Sequence, residues 1–147
     1  MKETILLVED DKIMRISLED ALKGVGYEVM SFETGATALD MLKNTSFDLA
    51  ITDIRLPDID GFDIVQEISG TKDSPVIVMT AYGTIKDAVE AMKLGAFDYL
   101  LKPCDIDTLV AKVKEAAQKK RSHDEKIEKA VDAALDMTLE EALERKL

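Results

Sequence analysis

Short apolar runs rich in isoleucine, valine and leucine alternate along the chain with longer segments in which apolar residues recur every three or four positions. The runs predict strands over Thr4–Val8, Tyr27–Phe32, Asp48–Thr52, Pro75–Met79 and Phe97–Leu101. The first, third and fourth are apolar along nearly their whole length and read as buried on both faces. Between the strands, Ile85, Ala88, Val89 and Met92 keep the i, i+3, i+4, i+7 spacing of one helical face, as do Ile106, Leu109, Val110 and Val113. Met14, Leu18, Ala21, Leu22 and Val25 mark a first helix, Ala38, Leu39 and Leu42 a shorter second, and Phe62 to Ile68 a weakly patterned third. Gly24, Gly26 and Gly95 follow the first and fourth helices, where a chain leaving a helix for a strand needs a turn. Five such units predict an α/β fold, a parallel sheet covered by helices.

Past Gln118 the composition shifts to charged, alanine-rich sequence without strand signals. The compact domain is expected to end near Lys119 or Lys120, giving a domain over 1–120 and a helical linker or tail over 121–147. Ser122 with Glu125 and Thr138 with Glu141 have capping-box spacing and predict two separate helices starting near those residues. Ile127, Ala130, Val131, Ala134 and Leu135 form one apolar stripe there, short of the several heptads of a sustained coiled coil.

With 46% hydrophobic residues in 147, the chain can bury one ordinary core and carry a short appendage. Its 19 Lys and Arg against 30 Asp and Glu give a formal charge of −11, which opposes attraction to nucleic acid phosphates, so no direct nucleic acid binding is expected. No apolar run approaches the roughly 20 residues that cross a bilayer, and none resembles a signal peptide; the expectation is a cytoplasmic protein without a membrane segment. One cysteine and one histidine exclude a disulfide framework and a zinc cluster. Cys104 reads as a small buried side chain. His123, beside Lys119, Lys120 and Arg121 with no partner fixed nearby, reads as solvated.

The acidic excess matters for where it falls. In an open parallel sheet, ligands bind beyond the carboxyl ends of the strands, where strand order reverses. Glu9, Asp10 and Asp11 follow the first strand, Asp53 the third, Thr80-Ala81 the fourth and Lys102-Pro103 the fifth. If the first and third strands are neighbours, Glu9, Asp10 and Asp53 converge, and crowded carboxylates need a cation or a lysine to stay ionised. A few oxygen ligands supplemented by water and phosphate oxygens suit Mg²⁺ rather than a soft transition metal, which implies a phosphoryl ligand. Asp53 closes the buried Leu49-Ala50-Ile51 run, a costly place for an unpaired carboxylate.

Glu9-Asp10 after a first strand, Asp53 followed by Leu56-Pro57 and Asp60-Gly61, Thr80-Ala81 and Lys102-Pro103, in that order over residues 1 to about 120, resemble the receiver domains of two-component signalling. The resemblance implies a flavodoxin-like (βα)5 three-layer sandwich of strand order 2-1-3-4-5, in which Asp53 accepts a phosphoryl group from a sensor histidine kinase. It implies Mg²⁺ held by Glu9, Asp10, Asp53 and the backbone carbonyl of Arg55, with Asp10 a direct ligand; the alternative register, one residue on, would pair Asp10 with Asp11. Lys102 and Thr80 would stabilise phosphoryl charge, Tyr99 would move inward with Thr80, and the Lys102-Pro103 bond would be cis. Such a domain is a switch that catalyses only its own phosphorylation and slow dephosphorylation. Arg55 and Tyr82 occupy positions that tune hydrolysis, and the bulk of Tyr82 favours a long-lived phosphorylated state; Cys104 stands where phenylalanine is frequent. The pattern is most similar to the receiver of a nitrogen-regulator-type transcriptional regulator, implying control of transcription. Two surfaces are candidates for self-association: the face of helix four and strand five, and the C-terminal helix.

Other readings fit less well. A haloacid-dehalogenase-like phosphatase needs a second acid two residues past its nucleophile, where this chain has Arg55. Asp58, Asp60 and Glu67 mimic part of a calcium loop, but Leu56 and Asp63 break it; Asp58 and Asp60 read instead as turn residues after Pro57 that cap the helix near Phe62. A pseudo-receiver that binds partners without phosphorylation is the remaining alternative, opposed by the complete set Glu9, Asp10, Asp53, Thr80 and Lys102.

Overall fold

The most continuously apolar runs occupy the middle of the sheet. The computed structural model describes residues 2–71, 73–81 and 83–146, with side chains up to Thr138 and at Glu141. In it β1 (Thr4–Val8), β3 (Leu49–Thr52) and β4 (Val76–Thr80) are buried along nearly their whole length, while β2 (Glu28–Phe32) and β5 (Asp98–Leu101) form partly exposed edges. The order is β2-β1-β3-β4-β5, and every pair is parallel. Parallel neighbours require crossovers, which are supplied by α1 (Lys12–Gly24), α2 (Gly35–Leu42), α3 (Gly61–Thr71) and α4 (Ile85–Lys93); α5 (Ile106–Lys146) follows β5.

Because strand side chains alternate between faces, each central strand feeds two cores. Ile5, Leu7, Leu49, Ile51, Ile77 and Met79 pack with Leu18 and Leu22 of α1 and Leu109 and Val113 of α5. Leu6, Val8, Ala50, Val76 and Val78 pack with Ala38 and Leu42 of α2, Ile64 and Ile68 of α3 and Ala91 of α4. The result is the expected flavodoxin-like three-layer sandwich, with strand limits within one residue of those read from the sequence. Asp11, Thr34 and Thr84 cap α1, α2 and α4 by accepting from N–H groups three residues on. Gly26 and Gly95 turn the chain out of α1 and α4 at φ 104° and 103°, a region where a Cβ is strained.

The tail departs from expectation. Instead of two further helices, α5 runs unbroken for 41 residues. Its sequence contains neither glycine nor proline, so nothing stops propagation at the two capping-box serine and threonine positions. Thr138 sits inside the helix and its Oγ1 donates back to the Ala134 carbonyl at 2.9 Å. Among the described residues the last buried one is Ala117, and from Arg121 onward every described side chain is exposed. His123 is not merely solvated: its Nε2 lies 2.9 Å from Asp73 Oδ2, a partner 50 residues away in the chain. Arg121 pairs with Glu3, and Lys120 Nζ donates to the Asp73 carbonyl at 3.1 Å. Cys104 is half-buried rather than buried, at the margin of the α1–α5 core. Among the described residues no helix is long and apolar enough to cross a membrane.

Candidate functional site

The chain leaves β1 through α1 toward β2 and leaves β3 through α3 toward β4, on opposite faces and toward opposite edges. A crevice therefore opens beyond the carboxyl ends of β1 and β3. The last ladder bonds fix the backbone there: Glu9 N–H donates to the Phe32 carbonyl at 3.0 Å and Asp53 N–H to the Val8 carbonyl at 3.3 Å. Glu9, Asp10 and Asp53 each place a carboxylate oxygen within 4.8 Å of the others. Glu9 and Asp53 are only 2% and 6% exposed, whereas Asp10 opens to solvent.

Lys102 reaches this cluster from the end of β5, where its N–H donates to the Thr80 carbonyl at 2.8 Å and the Lys102-Pro103 bond is cis. Its Nζ donates to Asp53 Oδ2 at 2.8 Å and also pairs with Glu9. Burial pushes the Glu9 carboxyl above its usual pKa, with Lys102 pulling in the opposite direction. Burial also disfavours the Lys102 ammonium, but its hydrogen bonds to Asp53 and Glu9 outweigh that and hold its pKa above the usual value. One lysine thus faces three carboxylates, which leaves room for a further positive charge. Three hard oxygen donors at the edge of a cleft of about 740 Å³, open to water, fit Mg²⁺.

The loop after Asp53 shapes the cleft. Arg55 N–H donates to Asp53 Oδ1 at 3.1 Å, so both acceptor oxygens are tied before any ligand arrives. Arg55, Leu56 and Pro57 line the cleft together with Met14, Ala81 and Pro103. Gly61 packs on the backbone just past the acceptor: a Cβ there would lie 2.6 Å from Ile54 Cα and nearer still to the Asp53 carbonyl.

Thr80 ends β4 and Tyr99 lies in β5. Thr80 is fully buried at the end of β4, opposite Leu101, beside the cleft rather than lining it. Tyr99 packs against the core on the α2–α3–α4 side, and among the described residues its buried hydroxyl has no hydrogen-bond partner. Burial, followed by the charges of Asp87 and Asp53, raises that hydroxyl's pKa. Asp11 caps α1 through Met14 N–H and donates its own N–H to Glu9 Oε2 at 3.3 Å. Tyr82 lies outside the described residues.

Two contributors were missed in the sequence. Arg15 Nη1 donates to the Glu9 carbonyl at 2.9 Å, bracing the acidic loop from the first turns of α1. Asp60 caps α3 through Phe62 N–H, but Asp58 does not share that task as expected; it accepts from Gly35 and Ala36 at the start of α2. Only the short spacing of Asp60 to Phe62 is visible in a linear pattern.

The parallel order with acids and a lysine beyond its carboxyl edge defines a doubly wound α/β domain with an acidic cleft at its topological switch point. The chain belongs to the response regulator receiver domain family, whose sequence profile matches residues 5–114. It is 41% identical over 113 residues to the transcriptional regulatory protein ZraR of Escherichia coli K12, covering 76% of this chain and 26% of ZraR. It is 43% identical over 111 residues to the DNA-binding transcriptional regulator NtrC of Klebsiella pneumoniae, covering 75% of this chain and 24% of NtrC. The crystal structure of a CheY-like receiver domain protein from Methanospirillum hungatei superposes with a TM-score of 0.80 at 29% identity, covering 84% of this chain and 99% of that one. The chain thus spans about a quarter of the length of these two regulators. Receiver domains bind Mg²⁺ in an acidic pocket of this kind and interact with sensor histidine kinases.

Proposed function

We propose that this chain is a phosphorylation-dependent switch in which Asp53 accepts a phosphoryl group from the phosphohistidine of a sensor histidine kinase, with residues 1–120 as the receiver and 121–147 as a helical linker toward an output that regulates transcription. The observation that carries the reading is Lys102, which reaches across two strands to bind the acceptor Asp53 and the acidic Glu9 at once.

In the proposed reaction an Asp53 carboxylate oxygen attacks phosphorus in line. The O–P bond forms as the N–P bond of the donor breaks, and the electron pair stays on the imidazole nitrogen, which takes a proton from water. Glu9, Asp10, Asp53 and the Arg55 carbonyl would hold Mg²⁺, which when bound supplies charge neutralisation between the carboxylate and the phosphoryl oxygens. Arg55 N–H orients the acceptor through Oδ1. Lys102, displaced from Oδ2 by the new bond, is placed to pair with a phosphoryl oxygen, and the Thr80 hydroxyl at the next strand end is assigned a second oxygen.

Tyr99 supports a two-state element. A buried hydroxyl without a partner costs on the order of 1–3 kcal/mol, so a rotamer that satisfies it once Thr80 has moved is favoured. The face that would change carries Ile85, Val89 and Met92 of α4 and Leu101 of β5, all exposed apolar residues. We assign the output, including self-association, to this face, with the exposed Ile127, Val131 and Leu135 stripe of α5 as the second surface.

Intact mass after incubation with acetyl phosphate tests the reading. One phosphoryl mass is expected on the wild type with Mg²⁺ and none on Asp53→Asn or without Mg²⁺. An unmodified wild type would leave a partner-binding domain that works without phosphorylation.

A further inference from the structure

The segment from Asp53 to Gly61 carries both the acceptor and the Arg55 carbonyl. Its base is closed by an isolated antiparallel bridge between Arg55 and Asp60 and by Gly61 N–H donating to the Ile54 carbonyl at 2.7 Å. Its tip is held by a different element. Asp58 Oδ1 accepts from Gly35 N–H at 2.9 Å and Oδ2 from Ala36 N–H at 2.8 Å, so both oxygens are used on the first turn of α2. An anion at a helix N-terminus satisfies orphan N–H groups and meets the positive end of the helix dipole. The two elements also touch: a Cβ on residue 35 would fall 3.3 Å from Leu56 Cδ1 and closer still to the Ile59 side chain, so glycine lets them approach without those side chains shifting. Helix α2 already has its own cap in Thr34, whose Oγ1 accepts from Thr37 N–H at 3.3 Å. The Asp58 contact is therefore an addition whose second end is the acceptor loop.

We infer that Asp58 is a positioning residue: by binding the N-terminus of α2 it holds the 53–61 loop in the conformation that presents Asp53 and the Arg55 carbonyl to a divalent cation. The inference rests on the proposed use of the cleft as a Mg²⁺ site. Without Asp58 the base of the loop stays closed but its tip, three residues past Arg55, loses its polar tether to α2 and keeps only the packing of Leu56 and Ile59. The Arg55 carbonyl and the N–H that orients Asp53 then share that loosening. Groups that orient metal ligands from outside the coordination sphere typically change affinity about 10- to 100-fold when removed. The lower end is expected here, because the Arg55–Asp60 bridge remains.

The test is the Mg²⁺ dissociation constant of the full chain, read from amide chemical shifts of residues 53 to 56 for the wild type, Asp58→Ala, Asp58→Asn and Thr34→Ala. Asp58→Ala should raise the constant about tenfold, and Asp58→Asn, which keeps one acceptor oxygen, should raise it less. Thr34→Ala weakens the same helix end without touching the loop and should leave the constant within about twofold of wild type. An unchanged constant in Asp58→Ala, or an equal rise in Thr34→Ala, overturns the inference. If Asp58→Ala does not fold, Asp58→Asn against Thr34→Ala decides the question. A rise in the constant together with a wild type that acetyl phosphate does not modify would retain the positioning role and remove the acceptor reading.

Discussion

Lys102 Nζ lies 2.8 Å from Asp53 Oδ2 and also pairs with Glu9, so one ammonium from the end of β5 joins carboxylates that follow β1 and β3. All three side chains are nearly buried, at 11%, 7% and 3% exposure. The arrangement is no evidence of net stability, since the desolvation of such a group roughly cancels its attraction. It does mean that removing one partner leaves charge stranded.

Lys102→Met should therefore destabilise the cation-free chain by about 3 kcal/mol, as expected when a buried pair loses one member. Urea unfolding measures this, and saturating Mg²⁺ should recover part of the loss by neutralising the same carboxylates. A loss below about 1 kcal/mol would show that water reaches the pair freely.

Tyr99→Phe removes a buried hydroxyl that has no partner among the described residues. The unphosphorylated chain should gain about 1 kcal/mol, visible as a higher melting temperature. A lower one would mean the hydroxyl is satisfied.

Gly61→Ala should be costly despite its small size, because the new Cβ would press on backbone, the Asp53 carbonyl and Ile54 Cα, rather than on a side chain that can turn away. A loss of about 3 kcal/mol in urea unfolding is expected. A phosphorylation rate reduced even where the protein is fully folded should accompany it, since the displaced atoms are backbone of the acceptor and of the residue after it.

The backbone N–H groups of Ala36 and Gly35 hold the Asp58 carboxyl below its ordinary pKa of 3.8. The unfolded chain therefore binds this proton more tightly than the folded one. The stabilisation is fully present above the ordinary value and is lost as pH falls through the lower folded value. The stability difference between wild type and Asp58→Asn should thus be constant from about pH 7 to pH 5 and should close below about pH 4. Urea unfolding across that range checks it, and a gap that persisted at the acid end would exclude the carboxylate as its source.

Ending the chain after Lys120 removes the Arg121–Glu3, His123–Asp73 and Lys120–Asp124 pairs and otherwise exposed helix. Exposed pairs contribute at most about 1 kcal/mol each, so the shortened chain should keep its cooperative unfolding and lose no more than about 3 kcal/mol. A collapse of that transition would make the extension part of the folding unit.

Local patterns already held most of the architecture. The continuous apolar runs at Ile5–Val8 and Val76–Met79 became central strands because only the middle of a parallel sheet is covered on both faces. Asp53, after Leu49-Ala50-Ile51-Thr52, stood out because a carboxylate closing a buried strand needs partners. The absence of glycine and proline from 106 to 146 was equally legible, and it outweighed the capping boxes at Ser122 and Thr138. What the tertiary structure alone decided were the pairings between distant elements: Lys102 on Glu9 and Asp53, Asp58 on Gly35 and Ala36, Arg121 on Glu3 and His123 on Asp73. The physical reason is one of range. Periodicity and capping act over a few residues and are written in order along the chain, whereas a carboxylate selects whichever N–H or ammonium the packed helices bring within 3 Å or so, and that neighbour exists only after the layers have closed.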